Sequence, residues 1–407
     1  MMQDWGAVAA KRLEIIAKAS EPGPGVTRLP FGPEHEAALE IMTEWMTAAG
    51  CNVTLDAAGT LIGRREGPAG APTLLIGSHQ DSVRLGGAFD GIMGVALGCL
   101  ALEALGDQTL PCSVEVLAFA DEEGVRFPTA LIGPRALAGT LDPGVFAMQD
   151  KAGVSLGAAL TSFGGDPEGT AALARDPAQI AGYLELHIEQ GPVLEAADKP
   201  LGVVTAISGI ERHRVTIIGE AGHAGTVPME MRHDALLAAS DLVRGVHDMA
   251  RAHGIRATVG QLDVSPNVVN AIPARVDLTI EIRAAEDPAR AAMGAALGPL
   301  CARIATATAT QVEIEKTYAQ PAQACDAALR EGLTAAIRKA TGEAAPELPS
   351  GATHDASAMA DLCPIAMLFV RCKGGISHNP AEYASAGDMG QAVSALAAFL
   401  SDYVPKA

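Results

Sequence analysis

Short, uninterrupted apolar runs alternate with segments of helical periodicity through the first half of the chain. "TLLIGSH" ends at His79 and is followed by the helix-like stretch 91–106; "SVEVLAFADEE" leads into "PTALIGPRALAG"; after a polar stretch comes "YLELHIEQG" (183–191). Runs this continuous suit strands buried on both faces, and their alternation with helices predicts an α/β domain on a mostly parallel sheet. Near residue 209 the rhythm changes. "RHRVTIIGE" (212–220), a long helical pattern over 234–254, the strand-like "RATVGQLDV" and "ARVDLTIEIRA", a second helix over 287–308 opened by Asp287 and Pro288, and "QVEIEKTYA" follow in turn. Their order, β-α-β-β-α-β, is the split ferredoxin-like arrangement. The first pattern then resumes with "DAALREGLTAAIRKATG", "PIAMLFVRC" and a closing helix. The expected organisation is therefore one sheet domain, residues 1–208 and 321–407, interrupted by a self-sufficient α+β domain over 209–320.

Composition narrows the function classes. At 407 residues the chain exceeds the size at which one core stops growing, in keeping with two domains. Hydrophobic content of 49% with 19% charged residues describes a soluble globular protein. A net charge of −19 argues against nucleic acid and anionic membrane surfaces as partners. Seven cysteines, scattered and without a CxxC pair, suit free thiols in a reducing cytoplasm better than disulfides or a cysteine-zinc site. "MMQDWGAVAAKRLEII" carries Asp4 early and reads as an amphipathic helix, not a signal peptide. The longest weakly polar stretch, 91–106, is too short to span a bilayer and contains Glu103.

The chemistry gathers where the apolar runs stop. One ends in His79, a second in Glu122 and Glu123, a third carries His187 and Glu189, and a fourth leads to His378. Ligands of open α/β sheets bind just outside the carboxyl ends of the strands, so these side chains are expected on one rim. Together with Asp90, set among glycines in "GSHQDSVRLGGAFDG" (77–91), they form a mixed N/O donor set suited to zinc, manganese or cobalt. There are more donors than one ion needs. A carboxylate bridging two ions uses the surplus, and Asp90, beside the sharp turn Gly91 permits, is the natural bridge; two-metal centres suit hydrolysis. Asp81 is placed to take the proton of the far ring nitrogen of His79. Of Glu122 and Glu123, adjacent on an extended segment, one can ligate while the other faces the attacking water as general base. Arg283, ending "DLTIEIR", can clamp a carboxylate through two parallel hydrogen bonds. His223, glycine-flanked in "EAGHAGT", can polarise a carbonyl oxygen.

"GSHQDSVRLGGAFDG", "DEEGVRFP", "ELHIEQGPVLE", "GHAGTVPM", "NVVNAIP" and "GGISHNPAE" together resemble the metallopeptidase M20 family. More narrowly, they resemble its branch of N-carbamoyl-L-amino-acid hydrolases, allantoate amidohydrolases and β-ureidopropionases. The resemblance implies a metallopeptidase-like α/β catalytic domain with an inserted lid and dimerisation domain, hence a homodimer. It implies two divalent ions per subunit, one on His79, Asp90 and His187, the other on Asp90, Glu123 and His378, with Glu122 as catalytic base. Substrate contacts fall on Gln190, His223, Asn270, Arg283 and Gly351, with His223 and Asn270 reaching across the dimer; Thr353 stands where many relatives carry glycine. The implied reaction is hydrolysis of a linear ureido (N-carbamoyl) acid in the cytoplasm, releasing ammonia and carbon dioxide; an aminoacylase or dipeptidase on the same fold is the alternative.

Overall fold

The computed structural model describes residues 3–405. Two compact units emerge. The larger holds the residues up to Thr205, Cys325–Leu348 and those from Thr353 onward; the smaller holds Ala206–Ala324 and Pro349–Ala352. The strands in chain order are β1 (Asn52–Leu55), β2 (Leu61–Arg65), β3 (Thr73–His79), β4 (Ser113–Phe119), β5 (Ile180–Ile188), β6 (Leu201–Ile207), β7 (Gly209–Ile218) and β8 (Gly222–His223). They continue with β9 (Arg256–Ser265), β10 (Ala271–Ile272), β11 (Arg275–Ala284), β12 (Gln311–Gln320), β13 (Gln323–Ala324), β14 (Glu347–Ser350) and β15 (Ile365–Val370).

In the larger unit the sheet order is β1-β2-β4-β3-β5-β15-β6, with β14 alongside β6. The central four strands, β4, β3, β5 and β15, are mutually parallel. The flanking strands β2, β1 and β6 run antiparallel to their neighbours. Every residue of β3, β4 and β15 is buried, which explains the lack of polar alternation in those runs. Helix Ile92–Leu105 is likewise buried from Ile92 through Leu102 and so shows no polar stripe. It shares one core with helices Trp5–Ile16, Ala327–Thr341 and Ala386–Asp402. Because the central strands are parallel, their carboxyl ends share one edge, and His79 and His187 sit at the ends of β3 and β5.

The smaller unit carries the expected β-α-β-β-α-β order, with sheet β12-β7-β11-β9 antiparallel throughout. Burial along β11 alternates strictly, and its inward residues Val276, Leu278, Ile280 and Ile282 form a core with helices Ala235–His253 and Asp287–Thr308. A two-stranded antiparallel ribbon, β8 with β10, is added to the expected order. At the chain's entry to and exit from this unit, Ala206 and Ile207 pair antiparallel with Ala324 and Gln323.

Candidate metal centre

Asp90 is the hub of the rim. Its Oδ1 lies 3.7 Å from His79 Nε2 and 3.1 Å from His187 Nε2. Its Oδ2 lies 3.2 Å from His378 Nε2, and that nitrogen is 3.7 Å from Glu123 Oε1. Donor atoms of His79, Asp90 and His187 fall within 4.8 Å of one another, as do those of Asp90, Glu123 and His378 and those of His79, Glu122 and Glu123. Gly91 is required here for a second reason besides its φ of +65°: a Cβ would stand 2.4 Å from the His79 ring.

The rings are locked from behind. His79 Nδ1 faces the Asp81 carbonyl at 2.9 Å and His187 Nδ1 the Ile188 carbonyl at 2.8 Å. A carbonyl only accepts, so each neutral ring carries its proton on Nδ1 and turns a lone pair on Nε2 toward Asp90. Asp90 Oδ1 and Glu123 Oε1 receive no hydrogen bond among the described residues. Lone pairs converging within 3.1–3.7 Å, buried and without a donor, repel unless a cation lies among them. Imidazole nitrogens with carboxylate oxygens suit borderline divalent ions, so the residues present fit the metals expected from the sequence.

Without a metal ion, protons take up that role. Burial opposes charge on His187, but Asp90 in front of it and Glu185 behind outweigh burial and push it up to about 9. Asp90 against His378 similarly pushes that imidazole up to about 9, while burial drives His79 down to about 4. Asp90 itself is held well below the carboxylate range, the facing imidazoles overcoming its burial. Burial, then the neighbouring carboxylates Asp90 and Asp81, raise Glu123 to about 8; burial, then Glu123, raise Glu122 far above its ordinary value.

Asp81 acts differently from the sequence expectation. Its main-chain carbonyl, not its carboxylate, faces His79 Nδ1; the nearer carboxylate oxygen is 3.6 Å away. The carboxylate instead accepts the main-chain N–H groups of Glu122 (3.1 Å) and Glu123 (3.2 Å), fixing the segment that projects both glutamates. Glu189 also departs from the rim: it caps the helix Val193–Ala196, accepting from Val193 N at 2.7 Å and Leu194 N at 2.9 Å. His378 lies in the loop beyond β15, half-exposed, with φ +53°.

Of the residues expected to touch substrate, Gln190 is at the rim, with φ +57° and its Nε2 donating to Asp90 Oδ2 at 3.0 Å. The others belong to the smaller unit. Arg283 donates Nε to Glu281 at 2.7 Å and Nη1 to the Gly351 carbonyl at 2.6 Å. His223 and Asn270 meet at the β8–β10 ribbon, where Asn270 O accepts the Ala224 N–H at 3.0 Å. His223 Nδ1 accepts the Gly225 N–H at 3.1 Å, which leaves the proton of the neutral ring on the outer nitrogen.

Two carboxylates escaped the reading of the sequence. Glu185, two residues before His187 on β5, accepts from Ser78 Oγ (3.0 Å) and Ala356 N (2.8 Å); period-two alternation places it on the same strand face as His187. Glu382 accepts from Phe89 N, Asp90 N and Ser377 Oγ at 3.1, 2.9 and 2.7 Å. It closes the motif "GGISHNPAE", but the main-chain donors it serves, at Phe89 and Asp90, lie almost 300 residues away.

A mostly parallel sheet whose strand ends gather imidazoles and carboxylates around one aspartate defines a hydrolase of the metallopeptidase-like α/β class. The chain belongs to peptidase family M20/M25/M40, whose model matches residues 75–402. It is 39% identical over 380 residues to an N-carbamoyl-L-amino acid amidohydrolase of Geobacillus stearothermophilus, covering 92% of this chain and 93% of that protein. To an allantoate deiminase of Arabidopsis thaliana it is 37% identical over 428 residues, covering 96% and 81%. The crystal structure of a hydantoinase/carbamoylase family amidase from Burkholderia multivorans superposes with a TM-score of 0.91 at 34% identity, covering 99% of this chain and 98% of that one. Family and branch agree with the resemblance read from the motifs.

Proposed function

We propose that this chain hydrolyses the C–N bond of a linear ureido (N-carbamoyl) acid, such as an N-carbamoyl-L-amino acid or allantoate, releasing ammonia and carbon dioxide. The observation that carries this reading is the convergence of His79, His187 and His378 on Asp90 in a chain whose relatives bear those activities in their names. His79, Asp90 and His187 would hold one divalent ion, and Asp90, Glu123 and His378 a second, drawn from zinc, manganese and cobalt. Such ions, when bound, polarise a carbonyl and acidify water. Glu122 is the general base: its carboxylate removes the proton of the attacking water and returns it to the departing amine. Asp81, by holding the main-chain N–H groups of Glu122 and Glu123, keeps base and ligand in fixed relation.

Arg283 takes the substrate's carboxylate through guanidinium hydrogens not engaged by Glu281 and Gly351. His223 offers its outer N–H to the developing oxyanion, and Gln190, Asn270 and Gly351 complete the polar contacts. We assign the smaller unit the roles of lid and dimer interface, with His223 and Asn270 serving the partner subunit. Exposed Met229, Met231, Leu237, Val268 and Val269 on that unit support an interface. A cytoplasmic location is supported by seven unpaired cysteines. Among the described residues no helix is long and apolar enough to cross a membrane. The test is ammonia release from allantoate and a panel of N-carbamoyl, N-acetyl and dipeptide substrates, after chelation and reloading with Zn²⁺, Mn²⁺ or Co²⁺. Turnover confined to N-acetyl or peptide substrates rejects the proposal.

A further inference from the structure

Arg256 on β9 stands directly opposite Arg283 on β11. Like charges facing each other across an antiparallel pair destabilise a sheet, so a pair in which only one member is compensated calls for a reason outside the fold. Arg283 is partnered by Glu281, but Arg256 forms no ion pair among the described residues. Its guanidinium lies against Gly351: a Cβ at that glycine would stand 3.4 Å from Arg256 Nη1. Arg283 reaches the same residue, donating Nη1 to the Gly351 carbonyl at 2.6 Å. Two cationic heads therefore meet at one backbone position that carries no side chain.

The neighbouring charges do not cancel them. Glu281 accepts the Nε of both Arg283 and Arg212, each at 2.7 Å, so its carboxylate is already shared by two guanidinium groups and none of it is given to Arg256. Alternation along the strands places Thr258 and Glu281 on the face that carries Arg256 and Arg283. A cavity of about 420 Å³ is lined by Thr258 and Glu281, the next same-face neighbours of the two arginines, together with Arg212, Thr279 and Ile280; Arg256 and Arg283 stand beyond its edge. With one substrate carboxylate on Arg283, Arg256 beside it is still without an acidic partner, and a second carboxylate would supply one.

We propose that Arg256 is a specificity-determining residue that, beside Arg283, selects ureido acids carrying a second acidic group, of the N-carbamoyl-L-aspartate or N-carbamoyl-L-glutamate type, over those with neutral side chains. Arg283 takes the α-carboxylate and Arg256 the side-chain carboxylate. The inference rests on the ureido-acid reading above.

The test compares N-carbamoyl-L-aspartate with its neutral near-isostere N-carbamoyl-L-asparagine on the metal-loaded full-length protein. A charge-assisted contact predicts that the wild type favours the aspartate derivative in kcat/KM by about tenfold or more, chiefly through KM. In Arg256→Gln the ratio falls to about twofold or less, and in Arg256→Lys, which keeps the charge but loses the fork, it is intermediate. A merely structural role for Arg256 would lower both substrates together and leave the ratio unchanged, which overturns the inference, as does a wild type that does not discriminate. Absence of turnover on every N-carbamoyl acid overturns the ureido-acid reading itself.

Discussion

Glu382 accepts the main-chain N–H of Asp90 at 2.9 Å, across 292 residues of chain. Through Ser377 Oγ the same carboxylate also holds the loop that presents His378. It is buried, and Gly87 leaves room for it: a Cβ there would come within 2.2 Å of Glu382 Oε1. Outer partners of this kind typically govern metal affinity by about 10–100-fold. Glu382→Ala is expected to weaken divalent-ion binding by that order, with the ion on His378 affected first, and Glu382→Gln to lie between. Titration calorimetry on the metal-free protein measures both; unchanged stoichiometry and affinity in Glu382→Ala would contradict the clasp.

The proposed roles of Glu122 and Glu123 separate catalysis from metal binding. In the assignment above it ligates neither ion, so Glu122→Gln should keep metal content near that of the wild type. Loss of a general base should lower turnover by about 10²–10⁴-fold. Metal analysis paired with ammonia release decides it, and an active Glu122→Gln removes the residue from the mechanism.

The rim also predicts how the metal-free protein responds to pH. Burial raises Asp81 to about 7, Glu123 to about 8 and Glu185 to about 7, and Asp90 helps hold His187 and His378 near 9. Unfolded carboxyls ionise near about 4 and unfolded imidazoles near about 6.5, so between pH 6.5 and 8 the folded state binds more protons than the unfolded. Stability must then fall as pH rises through that window. His79, lowered to about 4, has the opposite sign but acts below it. Thermal unfolding of chelated protein should show Tm decreasing from pH 6.5 to 8, and saturating zinc or manganese should flatten the slope. A flat metal-free profile would contradict the burial of these carboxyls.

Arg28 supports the rim from within the fold. Fully buried, it donates to the carbonyls of Gln80 (2.7 Å), Ile16 and Ala19 (3.0 Å each), tying the end of the helix Trp5–Ile16 to the segment between His79 and Asp81. Burial brings its guanidinium down to about 10, with Asp81 opposing. Arg28→Met keeps the stem but removes three hydrogen bonds; the Ile16 carbonyl still accepts the Ala19 N–H, whereas those of Gln80 and Ala19 lose their side-chain donor, at a cost of about 2 kcal/mol or more. Urea unfolding should report that loss, and an unaltered midpoint would mean that water replaces the donor.

Much of this was legible in the sequence because strand ends and metal ligands are both local signals. A run such as "TLLIGSH" predicts a buried strand and its terminal histidine at once, and the family motifs separate Glu122 from Glu123. What stayed hidden depended on partners far along the chain. Glu189 and Glu185 flank His187 at equal spacing, yet one caps a short helix and the other backs the imidazole; only the fold separates them. Asp81 was expected to use its carboxylate on His79, but a main-chain carbonyl fills that place and frees the carboxylate for the tip of the neighbouring strand. The β8–β10 ribbon is too short for period-two patterning to reveal.

Ala206 and Ile207 pair with Ala324 and Gln323 where the chain leaves the larger unit and returns to it. To the host, more than a hundred residues therefore present themselves as the turn of a hairpin. Such a doorway gives a protein engineer a ready point at which to splice in a foreign domain, with Pro349–Ala352, the smaller unit's second segment, left to be redesigned alongside it.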